Sequence, residues 1–259
     1  MKDTQLVFVI GSGRCGTKAI AKMLAGSEWI EAHHEYCRYS YQREAVLYKM
    51  GYISEHTMRD ILDGIFYSAA FYSQAGLFMD SSHKLVPVCD VLVKAFPEAR
   101  FIQLVRDGRK VCTSFFYKLQ IHDDRAHEIL NAWRDNTLPC PPPSEKYWWI
   151  SAPYDDRWQR ICWWWKESNA IIEREIPNRY LVRLEDLKAS AEAVMKLTDY
   201  IGVPYSQSYY EFLQKPDHVY VPINYSMTEE QRLQFNEICG ETMIQYGYEN
   251  TEERDVDYL

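Results

Sequence analysis

The chain has 259 residues, of which 47% are apolar and 25% charged, with a formal net charge of −8. That size and apolar share fit one α/β domain with a full core, and no apolar run reaches the ~18–20 residues of a membrane span. The acidic balance argues against bulk nucleic-acid binding and a long polyanionic acceptor, while leaving room for a local cationic pocket. The seven cysteines at 15, 37, 89, 112, 140, 162 and 239 are scattered and form no C-x-x-C pair. They read as small buried apolar residues, not as a zinc site or a disulfide framework. No leader segment precedes the first apolar run, so the expected location is the cytoplasm.

From Leu6 to Ile10 the chain is continuously apolar and rich in β-branched residues, which predicts a strand buried on both faces of a parallel sheet. Gly11, Gly13 and Gly16 follow, and Ile20, Met23 and Leu24 then recur at helical spacing. A strand, a glycine-rich turn and a helix in that order aim backbone N–H groups and the positive end of a helix dipole at one point, where phosphate or sulfate binds. Arg14, Thr17 and Lys18 add a guanidinium fork, a hydroxyl and an ammonium there. The stretch departs from a Walker A loop, G-x-x-x-x-G-K-[ST], because Thr17 and Lys18 stand in transposed order.

Trp29-Ile30 predicts a short second strand, with His33, His34 and Glu35 just beyond its end, where reacting groups sit in an open parallel sheet. Neighbours on an extended segment point to opposite sides, so joint metal chelation by the three is awkward. General-base work by one of them is the better reading. Residues 40–76 look helical and rich in tyrosine. Leu77–Asp80 predicts a strand, and Val88, Val91, Leu92 and Phe96 a helix that Pro97 stops. Arg100–Val105 predicts the next strand and runs into Arg106-Asp-Gly-Arg-Lys-Val-Cys-Thr-Ser114, where Val111, Phe115 and Leu119 mark a helical stripe. Arg106 at the strand end and Ser114 two turns into that helix can face one anion.

Residues 136–153 hold five prolines and predict a long loop. Trp158, Ile161, Cys162, Trp165 and Ile172 then follow at helical spacing and read as core. Tyr180–Leu184 predicts a further parallel strand, and Val194, Met195 and Ile201 a helix. The last helix opens on a capping box, Thr228-x-x-Gln231, and Gly247 is placed to end it. Strands alternating with helices imply an α/β fold: a P-loop-like central parallel sheet flanked by helices on both faces.

Two stretches together resemble sulfotransferases. Gly11-Ser-Gly-Arg-Cys-Gly-Thr17 resembles their 5′-phosphosulfate loop, and Arg106 to Ser114 resembles their 3′-phosphate element. The likeness is greater to the tyrosylprotein and carbohydrate branches than to the cytosolic phenol and steroid branch, which has a lysine where this chain has Arg14. Phe96-Pro-Glu-Ala-Arg-Phe101, Tyr180-Leu-Val-Arg-Leu-Glu-Asp-Leu187 and the closing Thr228-Glu-Glu-Gln…Tyr246-Gly-Tyr248 also fit. The resemblance implies one sulfotransferase domain over residues 1–259, with 37–76 and 136–157 as acceptor-side inserts or a lid. It implies the donor 3′-phosphoadenosine 5′-phosphosulfate (PAPS), no metal, and a small-molecule, carbohydrate or peptide acceptor bearing a hydroxyl or amine.

On the same resemblance, Gly13, Arg14, Cys15, Gly16, Thr17 and Lys18 would hold the 5′-phosphosulfate. Arg106 and Ser114, assisted by Lys118, would bind the 3′-phosphate. Glu35 takes the general-base position, with His34 in reserve and Lys18 close to the reaction. One departure stands out. Ser81 occupies the place where many relatives carry the lysine that neutralises the leaving group, and Lys18, Lys84 or His83 are the candidate substitutes. Two rival readings remain at this stage. One is a P-loop small-molecule kinase using ATP and magnesium, with Asp80 or Asp107 as metal carboxylate. The other is a relative that binds PAPS or its product 3′-phosphoadenosine 5′-phosphate (PAP) without catalysis.

Overall fold

The structure, a computed structural model, describes residues 4–117, 152–215 and 227–248. Its centre is β1 (Gln5–Ile10), where every residue after Gln5 is buried. β1 pairs in parallel with β3 (Leu77–Ser81) on one side and β4 (Arg100–Val105) on the other. β2 (Ile30–His34) lies outside β3, and β5 (Tyr180–Arg183) outside β4, giving a five-stranded parallel sheet of order β2-β3-β1-β4-β5. The chain leaves β1 toward β2 and β3, then crosses back to β4. The C-terminal end of β1 is therefore the topological switch point, where open parallel sheets bind ligands.

Both faces of the sheet are covered, as the alternation of strands and helices predicts. Val7, Val9, Met79, Ile102 and Leu104 face one core with α1 (Thr17–Leu24) and the later helices α7 (Leu184–Ala189), α8 (Ala191–Ile201), α9 (Gln207–Leu213) and α10 (Glu229–Gln245). Leu6, Phe8, Ile10, Phe78 and Phe101 face the other, under α2 (Gln42–Lys49), α3 (Glu55–Tyr72) and α4 (Cys89–Ala95). Met58, Leu62 and Phe66 of α3 are fully buried there, and the Phe66 ring meets Phe8 edge-on at 5.0 Å. Much of the 37–76 stretch is thus core that roofs the sheet. The next helix, α5, is described over residues 108–117. α6 (Arg157–Glu175) contributes to both cores through Trp158 and Trp165 on one side and Trp164, Ile171 and Ile172 on the other.

The second strand is longer than its apolar residues suggest. Pairing with β3 extends it through His34↔Ser81, so His33 and His34 belong to the strand and only Glu35 lies beyond its end. Backbone pairing to an inner strand carries the segment further than side-chain polarity would. Leu119 and the proline-rich loop up to residue 151 lie outside the described residues. Cys15, Cys89, Cys112, Cys162 and Cys239 are buried free thiols, as expected, while Cys37 is exposed.

Candidate active site

Four chain segments converge at the C-terminal edge of the sheet. The first is the turn after β1. Gly13 has φ 80° and Gly16 φ 105°, a region that disfavours any Cβ. A Cβ at Gly13 would also sit 3.0 Å from Phe115 and 3.2 Å from the His83 ring, so this backbone cradle is packed against both rings with no room for a side chain. Arg14, between the two glycines, is itself left-handed at φ 54°. A non-glycine residue in that region costs about 1–2 kcal/mol, which the surrounding bonds must offset.

Those bonds come from the second segment, the turn after β4. Arg14 Nε donates to Ser114 Oγ at 3.0 Å, and Arg106 Nη1 donates to the Arg14 carbonyl at 2.9 Å. The two elements that the sequence pairs as anion sites are therefore hydrogen-bonded to each other. Glu185 Oε1 accepts the Asp107 N–H at 3.2 Å, and Trp165 Nε1 donates to the Arg106 carbonyl at 3.2 Å, fixing this turn from α7 and α6. Lys188 lies close enough to Arg106 and Lys110 to feel both. Partial burial first, and those two cations next, lower its ammonium pKa. A concentration of positive charge in a chain of negative net charge marks a place for an anion.

The third segment is the turn after β2. Glu35, at φ 57°, carries a carboxylate that is 6% exposed and occupied at both oxygens. His83 Nδ1 lies 3.0 Å from Oε1, and Arg38 pairs with Oε2. His34 Nε2 lies 3.8 Å from Oε1. Burial pushes the Glu35 pKa up, but the hydrogen bond and charge of His83, then Arg38 and Lys84, outweigh it and hold the carboxyl well below the usual carboxylate range. His34 Nδ1 lies 2.8 Å from the Ser81 carbonyl. Burial lowers the His34 pKa, the Ser81 contact and the Glu35 charge oppose this, and the Lys18 and Arg38 charges add to the lowering.

The fourth segment follows β3. Ser81 Oγ donates to the Thr17 carbonyl at 2.8 Å, so the side chain at the lysine position ties β3 to the start of α1. Lys84 is buried at 4% exposure, with its charge bearing on Glu35. His83 is placed between the Gly13 cradle and Glu35. Its ring also meets Trp164 edge-on at 6.4 Å, and Trp164 Nε1 donates to the Ser12 carbonyl at 2.5 Å.

Of the residues singled out in the sequence, the structure brings Gly13, Arg14, Gly16, Thr17, Arg106 and Ser114 together, with Glu35, His34 and Lys18 beside them. Cys15 is present through its backbone alone, since its side chain is fully buried and burial pushes the thiol up to about 11. Lys118 lies outside the described residues. Sequence spacing does not single out Arg38, Lys110 or Lys188, and it marks His83 and Lys84 only as stand-ins for a lysine. His33 pairs with Glu31 at 2.9 Å, away from Glu35. Among the described residues, no group of three or more His, Cys, Asp or Glu is arranged to hold a metal. Asp80 is fully buried with one oxygen on the Tyr36 N–H, and both oxygens of Asp107 accept from Arg109.

Residues 6–207 match the profile of the sulfotransferase family. Over 164 residues, 61% of this chain, the sequence is 29% identical to the omega-hydroxy-beta-dihydromenaquinone-9 sulfotransferase Stf3 of Mycobacterium tuberculosis. The Mycobacterium bovis protein of that name matches equally, and the aligned part spans only 38% of either relative. Among solved structures, the sulfotransferase domain from the curacin biosynthetic pathway superposes with a TM-score of 0.54 at 12% identity, covering 96% of this chain and 99% of the other. The sulfotransferase STF9 of Mycobacterium avium superposes with a TM-score of 0.55 at 11% identity, covering 96% of this chain and 78% of the other. At such identities the structural likeness concerns the fold.

Proposed function

The chain belongs to the sulfotransferase family, and from that premise we propose that it transfers a sulfuryl group from PAPS to the hydroxyl of a small acceptor. The observation that carries this reading is the bonding of Arg14 to Ser114 and of Arg106 to the Arg14 carbonyl. It joins a phosphosulfate cradle to a second anion site, and a donor with phosphates at both ends of its ribose needs two such sites. The donor fits the residues present. Backbone at Gly13–Thr17 with Arg14 and Lys18 would hold the 5′-phosphosulfate, and Arg106 and Ser114, within reach of Lys110 and Lys188, the 3′-phosphate. The name of the mycobacterial relative specifies a hydroxylated acceptor, which supports a hydroxyl here.

Bound donor supplies an electrophilic sulfur with PAP as leaving group. In the transfer, the acceptor oxygen bonds to sulfur, the bond from sulfur to the bridging phosphate oxygen breaks, and the acceptor proton must leave. Such transfers have loose, in-line transition states with charge spread over equatorial oxygens, so positioning and cations do most of the work. Lys18, whose charge bears on His34, and the buried Lys84, whose charge bears on Glu35, would take over the role that Ser81 cannot fill.

For the proton, Glu35 is the base expected from the resemblance. Its lowered pKa makes it a weak base on its own, and both oxygens are engaged. His83 touches the cradle with one edge of its ring and Glu35 with Nδ1. In our reading His83 takes the proton, while Glu35 orients the ring and stabilises the imidazolium, as a carboxylate does behind a catalytic histidine.

The division of roles is testable with radiolabelled PAPS and a panel of hydroxylated small molecules. Glu35→Gln and His83→Gln are each expected to lower kcat by about 10²–10⁴, the usual range for a lost general base, with PAP affinity changed less than twofold. Arg106→Ala is expected to weaken PAP at least tenfold. Equal loss of PAP affinity in all three variants would defeat the assignment.

A further inference from the structure

Asp80 is a buried carboxyl that the mechanism above does not use. It faces the same side of the sheet as Phe78, at the C-terminal end of β3, with no exposure. Its Oδ1 accepts the Tyr36 backbone N–H at 2.9 Å, and its Oδ2 has no hydrogen-bond partner. The next residue on β3, Ser81, accepts the Glu35 N–H on its carbonyl at 3.3 Å. Two adjacent β3 residues thus hold two adjacent N–H groups on either side of the left-handed φ of Glu35. In an extended conformation, residue 35 would send its carboxylate away from His83.

We propose that Asp80 is a positioning residue for the proton-accepting pair: its carboxyl holds the Glu35–Tyr36 turn in the left-handed form that sets the Glu35 carboxylate on His83. The catalytic meaning rests on the proposed function, whereas the clamp itself is read from the bonds. Burial pushes the Asp80 pKa up to about 8, opposed by the Tyr36 N–H and reinforced by the charge of Glu35. Burial and the neighbouring Glu35 charge thus both disfavour a second negative charge at this place. The buried Tyr41 phenol lies 3.2 Å from Ser82 Oγ and close enough to Asp80 to feel its charge.

Histidine-selective ¹⁵N labelling separates the seven imidazoles of the chain, and His83→Gln assigns the ring in question. Glu35→Gln provides the signature of a His83 that has lost its carboxylate. Asp80→Ala is expected to move the His83 signals to that signature. Asp80→Asn keeps an acceptor oxygen and is expected to retain the wild-type signals. Asp80→Leu preserves volume without accepting a hydrogen bond and replaces the alanine variant if the latter does not fold. In PAPS turnover, Asp80→Ala is expected to lower kcat at least tenfold, with PAP affinity within twofold. Added to Glu35→Gln, it is expected to cost nothing more, because it acts through Glu35. Unchanged His83 signals in Asp80→Ala or Asp80→Leu overturn the proposal, as does an additive loss in the double variant. Failure of the wild-type protein to bind PAP would defeat the sulfotransferase reading instead, and the His83 spectra would still decide the clamp.

Discussion

Glu35 is the residue on which the chemistry and the pH behaviour both turn. Its folded pKa lies below the ordinary glutamate value of about 4.3. The stabilisation it contributes is therefore fully present above that value and is lost as pH falls below it, toward the folded pKa. Relative to Glu35→Gln, the wild-type protein should hold a constant stability difference from neutral pH down to about 5 and lose it progressively at lower pH. Parallel stability curves across that acid range would show that the pairs with His83 and Arg38 do not form. Glu35, Arg14, Arg106 and Ser114 were legible in the sequence because each stands at a fixed offset from a strand end. Arg38 and Asp80 were not, because their contacts depend on a left-handed turn and on which strand lies beside β2. Asp80 did leave one trace, a carboxyl at the end of the apolar run Leu77-Phe-Met.

At the scale of elements, the glycine turn is held to its shape by backbone conformation and by what presses on it. Gly13→Ala combines a φ of 80° with contacts of 3.0 Å to Phe115 and 3.2 Å to His83. It is expected to weaken PAP at least tenfold, measured by calorimetry. Gly26→Ala is its control, since nothing lies within 4 Å of the added carbon, and it should leave PAP binding unchanged. The last helix offers a second test. Thr228 Oγ1 accepts the Gln231 N–H at 3.2 Å and Gln231 Oε1 accepts the Thr228 N–H at 3.1 Å, the reciprocal box its sequence announces. Thr228→Ala should cost about 1 kcal/mol, or roughly 2–4 °C in Tm for a chain of this size. Capping boxes and glycine turns are legible because their chemistry is local. The length of β2 was not, since Glu31, His33 and His34 break the apolar pattern while the backbone pairs on through them.

For the whole molecule, the strand order sets the site. Placing β3 and β4 on opposite sides of β1 opens the crevice at the end of β1 and brings residues from four distant segments within bonding distance. Alternation of strands and helices made the parallel sheet legible, but no local pattern encodes that β3 inserts between β1 and β2. The roof over the second core is part of this architecture. Phe66→Ala would empty a fully buried position beside Phe8 and is expected to cost about 3–5 kcal/mol, a large share of a typical domain's stability. Chemical denaturation reads that loss directly. The central claim, that this fold is built around a 3′-phosphorylated nucleotide donor, is tested most directly by thermal melting with PAP beside adenosine 5′-phosphate, ADP and ATP with magnesium. A ligand at a hundredfold excess over its Kd stabilises by about 2.7 kcal/mol if it binds only the native state. A rise in Tm with PAP is expected, absent with adenosine 5′-phosphate and lost in Arg106→Ala. A rise confined to ATP with magnesium, or no rise with PAP, would contradict it.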